Sequence, residues 1–337
     1  MVNTFLLSII IPVYNVEKYI MKCVSSIIKQ INELKENDIV EIIIVNDGTP
    51  DNSINIITDY IRQYDFVKVI SQENKGLSAA RNFGLSNASG KYVWFFDSDD
   101  WLNNGSLEPI VLYLKKGLDL CVIGKISIDE EKNILDTYLF HKKHKALELI
   151  RDNQFMAQLY IVRRQILQDN DLHFYESIYH EDVEFTPRML CHINKYCIID
   201  KPIYCYLKRI GSITMGNGLT YNPKRAKDTF LIVKSLDCFR KQLTFSDRKE
   251  FSRIISLLMN NVLQDIPNME KSTIELVRKL FKNNKTYFCH LLKSLNLKYM
   301  LEWILFSMFP SNVIEIFSFL KFRKINRKNE NTSRTRG

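Results

Sequence analysis

The stretch WFFDSDDW, residues 94–101, places three carboxylates within four positions, directly after an aromatic and apolar run. That run is typical of a buried strand, so Asp97, Asp99 and Asp100 come at the point where the strand ends. Carboxylates this close raise one another's pKa unless a cation neutralises them. The stretch therefore predicts a divalent-cation site, with a solvated acidic turn that caps the next helix as the alternative. In an extended chain, Asp97 and Asp99 would face one side and Asp100 the other.

The residues before this stretch alternate between short apolar runs and amphipathic patterns. Four runs predict strands, namely LLSIIIPV, IVEIIIVN, VKVIS and KYVWFF. Three patterns between them predict helices, namely VEKYIMKCVSSIIKQ, NSINIITDYIRQY and LSAARNFGLSNA. This alternation is typical of parallel strands covered by helices on both faces, as in nucleotide-binding α/β proteins. Ligands in such sheets bind at the carboxyl ends of the strands, where PVYN, NDGTPDN, QENKG and DSDD are expected to converge.

Several side chains in these clusters suit a nucleotide. Asp47, at the last position of its strand, can accept hydrogen bonds from the N–H and hydroxyl groups of a nucleoside. Gly76 allows a close backbone approach, and Lys75 and Arg81 are cations that a diphosphate could meet. A lone arginine on a helix is more often solvated or paired, and that alternative stays open for Arg81.

Composition and charge exclude several classes of protein. The chain has 337 residues and is 46% hydrophobic. Its seven cysteines are scattered and include no C-x-x-C pair. This pattern favours a reducing cytoplasm, and the spacings fit no compact zinc site. Its net charge is +9, but residues 321–337 hold seven basic residues and one acid, which leaves only +3 for the rest. A nearly balanced body argues against a nucleic-acid groove.

The second half of the chain has a looser pattern. A boundary is expected near Tyr221, after which the periodicity is helical and strands are hard to find. We expect a catalytic domain over 1–220, a helical region over 221–325, and a basic, disordered tail over 326–337. The apolar run over 299–322 is interrupted by charged residues and proline, so it falls short of the roughly 20 residues that span a membrane. It predicts amphipathic helices that dock either on the catalytic domain or on an anionic membrane surface.

Four stretches together resemble the successive signatures of family 2 glycosyltransferases, which have the GT-A fold. They are SIIIPVYNVEKYI, IIIVNDGTPDNS, NKGLSAARNFGL and YVWFFDSDDWL, and they cover Leu6 to Leu102. YHEDVEF resembles the family's acceptor-side Glu-Asp motif, and YLKRIGSIT its later basic-hydroxyl loop. Asn46 and Thr49 stand where the family more often has aspartate and serine. The resemblance implies an α/β fold with a Rossmann-like mixed sheet flanked by helices, divided into a nucleotide-sugar-binding half, 1–105, and an acceptor-side half, 106–220.

The resemblance also implies roles for individual residues. The donor nucleotide sugar would be held by Pro12, Val13, Tyr14, Asp47, Lys75, Gly76, Arg81, Asp97 and Asp99. Asp100, together with Asp99, would bind Mn²⁺ or Mg²⁺ at the diphosphate. Asp182 would be the catalytic base and Glu181 would orient it. Acidic residues are also favoured at a helix start without any chemistry, so this alternative stays open for Glu181 and Asp182.

The implied activity is an inverting transfer of one sugar from a nucleotide-diphosphate donor, expected to be a UDP-sugar, to an acceptor hydroxyl. The setting would be cell-surface polysaccharide synthesis on a glycan or lipid-linked acceptor, at the cytoplasmic face of the plasma membrane. The alternative is a non-catalytic nucleotide-sugar-binding or assembly protein that keeps the fold. A dehydrogenase is disfavoured because no G-x-G-x-x-G follows the first strand, and a sugar nucleotidyltransferase because PVYNVEKY is not a Gly-rich basic loop.

Overall fold

The structure is a computed structural model that describes residues 5–36, 39–209 and 222–284, together with residues 287 and 290. The chain divides into two compact units, Met1–Asn217 and Gly218–Gly337. The apolar stretch over 299–322 and the basic tail over 326–337 lie outside the described residues, so the expectations for them stay predictions.

The first half of unit one is the parallel α/β layer that the sequence predicts. Its strands are β1 Leu7–Val13, β2 Val40–Asp47, β3 Val67–Gln72 and β4 Tyr92–Phe95. Its helices are α1 Ile20–Asn32, α2 Ser53–Ile61 and α3 Leu77–Ser86. The strands pair in the order β3-β2-β1-β4, all parallel. Their carboxyl ends therefore meet at one edge of the sheet.

The second half of unit one extends the same sheet with strands of both directions. Its strands are β5 Trp101–Leu102, β6 Leu120–Asp129, β7 Ile134–Tyr138, β8 Tyr160–Arg163 and β9 Tyr196–Lys208. Its helices are α4 Leu107–Leu114, α5 Arg164–Asp169 and α6 Glu181–Leu190, with 3₁₀ turns at Ala146–Asp152 and Ala157–Leu159. The order continues from β4 through β8, β6 and β9 to β5, and β7 pairs with β6. Since β8 is antiparallel to both β4 and β6, the sheet is mixed, as the resemblance implied.

The core explains why α3 is held so close to the sheet. Every residue of β1 is buried, because the strand lies between β2 and β4. Gly84 of α3 faces this strand, and a Cβ added there would lie 2.3 Å from Cγ2 of Ile10. Only glycine lets the helix backbone approach this near. This contact positions the amino-terminal turns of α3 beside the end of β4.

Unit two is helical in the part that the structure describes. Its helices are α7 Pro223–Arg240, α8 Phe245–Asp265 and α9 Lys271–Asn283, with a 3₁₀ turn at Ile266–Asn268. The side chain of Asn222 accepts a hydrogen bond from the backbone N–H of Lys224, 2.9 Å away, which caps α7. Phe230 and Phe281 join α7 to α9, with ring centroids 5.1 Å apart. None of the described helices is both long enough and apolar enough to cross a membrane.

Candidate active site

Two loops at the carboxyl edge of the sheet are hydrogen-bonded to each other. After β1, the backbone N–H of Asn15 donates to Oγ1 of Thr49 at 2.8 Å, and that of Glu17 donates to Oδ2 of Asp51 at 2.9 Å. Asp51 also accepts from the backbone N–H and hydroxyl of Ser53 at the start of α2. Burial alone would raise the pKa of Asp51, but these hydrogen bonds lower it to about 2. The hydroxyl group of Thr49 therefore links the two loops. The serine that more often stands at this position in the family also has a hydroxyl group.

Asp47 fixes the loop between β3 and α3. Its side chain is buried, and its oxygens accept hydrogen bonds from Nε2 of Gln72 at 2.7 Å and from the backbone N–H groups of Lys75 and Gly76, both at 2.9 Å. Gly76 begins α3 with a φ of 87°, which favours glycine. Three of the predicted donor residues are thus brought together, with the side chain of Lys75 exposed to solvent. Contact between Asp47 and a nucleobase stays a prediction.

The three residues at the end of β1 differ in accessibility. Pro12 and Val13 are buried, whereas Tyr14 is 46% exposed. Asn15 then turns the chain with a φ of 54°. Tyr14 is the member of this group that presents its ring to solvent at the carboxyl edge, where the stacking face for a nucleoside is expected.

The acidic stretch forms a turn, so the expectation of extended geometry is wrong. The backbone N–H of Asp100 donates to the carbonyl oxygen of Asp97 at 3.2 Å. The turn brings one carboxylate oxygen from each of Asp97, Asp99 and Asp100 within 4.8 Å of one another. Instead of facing opposite sides, the three carboxylates converge. This grouping of hard oxygen ligands fits Mg²⁺ or Mn²⁺.

Asp100 and Asp99 differ in what already occupies their oxygens. Asp100 is buried, with one oxygen accepting from the hydroxyl of Tyr204 and the other from the backbone N–H of Leu207 at 2.7 Å. Burial, and then the carboxylates of Asp99 and Asp97, raise the pKa of Asp100 well above its ordinary value. Asp99 is about one-fifth exposed and accepts from Nε of Arg209 at 2.8 Å. Asp99 is therefore the more accessible ligand, and Asp100 holds the turn against β9.

Arg81 is paired with two carboxylates, which is the alternative that the sequence left open, and its contact with the donor stays a prediction. It is 1% exposed, because its guanidinium lies between Oδ1 of Asp97 at 2.7 Å and Oε1 of Glu181 at 2.6 Å. The ring of Phe174 lies 5.1 Å away. Burial alone would lower the pKa of Arg81, but the two carboxylates raise it. Through these two ion pairs, Arg81 connects α3 to the acidic turn and to the start of α6.

Asp182 lies in the first turn of α6, one residue after Glu181. Its Oδ1 accepts from the backbone N–H of Val183 at 2.8 Å, and within the described residues its other oxygen has no hydrogen-bond partner. Burial, followed by the neighbouring carboxylate of Glu181, raises the pKa of Asp182 to about 7, although the Arg81 guanidinium lowers it. A carboxylate with this pKa can take a proton near neutral pH. Glu184 differs, because it pairs with Arg188 at 2.6 Å along the helix.

Three residues that the sequence did not single out complete the site. Tyr204 donates to Asp100 and accepts from the backbone N–H of Asp97, Gln158 donates from Nε2 to Asp97, and Arg209 pairs with Asp99. They follow Asp97 in the chain by 60 or more positions, so no local pattern marks them. For Arg209 alone, the sequence offered a signal, because this residue lies in the stretch YLKRIGSIT that resembles a family motif.

Comparisons with known proteins agree with this geometry. The family model described as glycosyl transferase family 2 matches residues 8–175. An uncharacterised glycosyltransferase of Haemophilus influenzae is 30% identical over 245 residues, which is 70% of this chain and 94% of that protein. The uncharacterised glycosyltransferase EpsJ of Bacillus subtilis is 32% identical over 221 residues, 62% of this chain and 63% of its own length. The alignment with EpsJ thus spans less than two thirds of that relative.

The fold is similar to that of a solved structure with a bound nucleotide sugar. The crystal structure of S. aureus TarS 1–349 in complex with UDP-GlcNAc superposes with a TM-score of 0.58 at 20% sequence identity, covering 86% of this chain and 88% of that one. At this identity the likeness concerns the fold, which is of the GT-A type. Together with the four signatures around the acidic turn, these matches show that the chain belongs to glycosyltransferase family 2.

Proposed function

We propose that the protein transfers a sugar, with inversion, from a UDP-sugar to an acceptor hydroxyl, and that a divalent cation assists. The observation that carries the proposal is the relation between the acidic turn and Asp182. Arg81 bonds to Asp97 on one side and to Glu181, the neighbour of Asp182, on the other. A group that can hold a metal and a group that can take a proton are thus fixed in one site.

The chain's own residues supply distinct parts of a single displacement. Asp99, with Asp100 behind it, would hold Mn²⁺ or Mg²⁺, which when bound neutralises the charge on a departing diphosphate. Asp182 takes the proton of the acceptor hydroxyl, and its pKa of about 7 suits that task at neutral pH. Glu181 is engaged by Arg81 and holds its position beside the base. Tyr14, Asp47 and the loop that Asp47 fixes form the nucleoside end.

The test uses purified full-length protein with Mn²⁺ and a panel of UDP-sugars, and it measures released UDP. Asp182→Asn should leave UDP affinity within about threefold of native while transfer falls at least about a hundredfold. Glu181→Gln should reduce transfer less. Asp171→Asn is the matched control, since its carboxylate is 95% exposed outside the site. Native-like transfer by Asp182→Asn, or a parallel loss of UDP binding, would remove Asp182 as the acceptor-side base.

The setting of the reaction is also a proposal. Family resemblance supports a cell-surface polysaccharide or lipid-linked acceptor, reached from the cytoplasmic side of the membrane. The apolar and basic segment over 299–336 would supply peripheral attachment, since each cation near an anionic surface contributes about 1 kcal/mol. Co-sedimentation with anionic vesicles, compared between the full chain and a version that ends at Asn296, tests this. Equal binding by the two would contradict it.

A further inference from the structure

Lys125 is a cation of the acceptor-side half that the mechanism above does not use. It lies on β6, where its register partner in the parallel strand β9 is Tyr204 and its partner in β7 is Tyr138. Residues paired in register project from the same face of a sheet. Tyr204 is the residue whose hydroxyl reaches Asp100 and the backbone of Asp97. Lys125 therefore projects from the face of the sheet that carries the acidic turn.

Within the part of the chain that the structure describes, the ammonium of Lys125 has only weak partners. Its Nζ donates to the thioether sulfur of Met156 at 3.3 Å and lies 5.5 Å from the ring centroid of Tyr206. A thioether is a poor hydrogen-bond acceptor, so the three N–H groups of a half-buried ammonium are under-used. Among the residues that the structure describes, no carboxylate pairs with Nζ within 4.0 Å.

The charges that act on Lys125 come from both parts of the site. Burial lowers its pKa most, the carboxylate of Asp136 raises it, and Lys208 lowers it. Asp100 and Asp182 also raise the pKa of Lys125, so the acidic turn and the candidate base both contribute to the electrostatic field at its ammonium. A hydroxyl group of a ligand can accept a hydrogen bond from Nζ.

We propose that Lys125 is a specificity-determining residue that donates a hydrogen bond to a ring hydroxyl, or to the hydroxymethyl oxygen, of the transferred sugar. The inference rests on the proposed function. In a single inverting displacement, the sugar lies between the leaving diphosphate at the acidic turn and the base on the opposite face. Because Lys125 projects from the face of the sheet that carries the acidic turn, its ammonium would border that space. The substrate class is a sugar with a hydroxyl group that accepts this hydrogen bond.

The experiment combines Lys125→Met with removal of single sugar hydroxyls. Methionine keeps the length and apolar stem of lysine beside Met156 but cannot donate. The probes are UDP, UDP-glucose and UDP-N-acetylglucosamine, together with the 3-, 4- and 6-deoxy analogues of the better donor. Dissociation constants are measured by calorimetry with Mn²⁺, and kcat/KM by release of UDP. Lys142→Met is the control, since Lys142 is exposed and its side chain makes no hydrogen bond or ion pair with the described residues.

The native protein should bind UDP and Lys125→Met should bind it equally well. For the better UDP-sugar donor, the affinity and kcat/KM of the variant should be about tenfold or more below those of the native protein. With the native protein, one deoxy analogue should show a similar decrease relative to the parent donor. That analogue should lose nothing further with Lys125→Met, because the two changes remove the same hydrogen bond. Lys125→Gln, which can still donate, should recover part of the loss and serves as a second variant should Lys125→Met not fold.

Two results would overturn the inference. One is that Lys125→Met weakens the binding of UDP itself as much as that of the UDP-sugars. The other is that the losses from Lys125→Met and from hydroxyl removal multiply independently at all three positions. Failure of the proposed function is distinguishable, because it would be absence of transfer by the native protein, whereas the binding measurements test Lys125 without turnover.

Discussion

Replacing Arg81 with methionine would remove a buried cation that joins the acidic turn to the start of α6. The guanidinium is 1% exposed and bonds Asp97 at 2.7 Å and Glu181 at 2.6 Å. Arg81→Met keeps much of the apolar bulk and leaves two carboxylates without their charge partner. Breaking a buried ion pair from one side costs about 3–5 kcal/mol of unfolding free energy. At about 2–4 °C per kcal/mol for a domain of this size, we expect Tm to fall by roughly 6–20 °C.

The loss of stability should depend on pH in a definite direction. Arg81 lowers the pKa of Asp182, so removing the guanidinium would raise this pKa further above its value in the unfolded chain. A group with a raised folded pKa destabilises the folded state increasingly as pH rises through that pKa. The difference in Tm between native and variant should therefore be larger at pH 7.5 than at pH 5.

Catalysis should report the same change through the base. Arg81 lowers the pKa of Asp182, which is about 7 in its presence. Removing the guanidinium raises this pKa further, and because the base acts deprotonated, the ascending limb of the pH–rate profile should move to higher pH. Arg62→Met is the control, since Arg62 is 75% exposed and its pair with Asp59 contributes at most about 1 kcal/mol.

Calorimetric unfolding at two pH values, together with a pH–rate profile, measures these effects. A Tm shift for Arg81→Met no larger than that of Arg62→Met would refute the buried ion pair. A rate profile that keeps its ascending limb in place would refute the electrostatic link from Arg81 to Asp182, even if stability fell.

Two further predictions concern the metal and the donor loop. Asp99→Asn should abolish Mn²⁺-dependent UDP binding with little change in Tm, whereas Asp100→Asn should also lower Tm because it disturbs the hydrogen bond from Tyr204. UDP binding is measured by titration calorimetry, with excess chelator as the control. Native UDP binding by Asp99→Asn would contradict the assignment of Asp99 to the metal. Gly76→Ala should cost about 1–3 kcal/mol through backbone strain, since φ is 87° and nothing lies within 4 Å of an added Cβ, and an unchanged Tm would show that the loop relaxes without cost.

The sequence was sufficient to predict the parallel layer, because fully buried strands such as β1 are continuous apolar runs with turns at their ends. It also predicted that loops after these strands would share an edge, and the register of β1 with β2 and β4 confirms this. Both inferences use local patterns and the geometry of parallel strands. Neither requires knowledge of which distant segments meet.

Local patterns were insufficient where distant segments decide the environment of a side chain. LSAARNFGL does not show that Arg81 is buried, because its partner Glu181 lies one hundred positions later. The acidic stretch was expected to be extended, but Tyr204 and Leu207 of β9 hold Asp100 and support a turn. Helical and turn propensities carry no information about such partners. Site residues that come from a later strand can therefore be identified only once the fold is known.

The same distant contacts give the site a property that no single motif has. Asp97 accepts a hydrogen bond from Arg81 and raises the pKa values of Asp99, Asp100 and Asp182. A divalent cation at the acidic turn would offset the negative charge that acts on all three, so it would lower the pKa of Asp182 as well. The base would then be more fully deprotonated at neutral pH when the metal and its diphosphate are present than when they are absent. Under the proposed function, proton abstraction from the acceptor would therefore be favoured in the donor-loaded enzyme, and the negative charge of Asp97, which pairs with Arg81, would couple the metal site to the base.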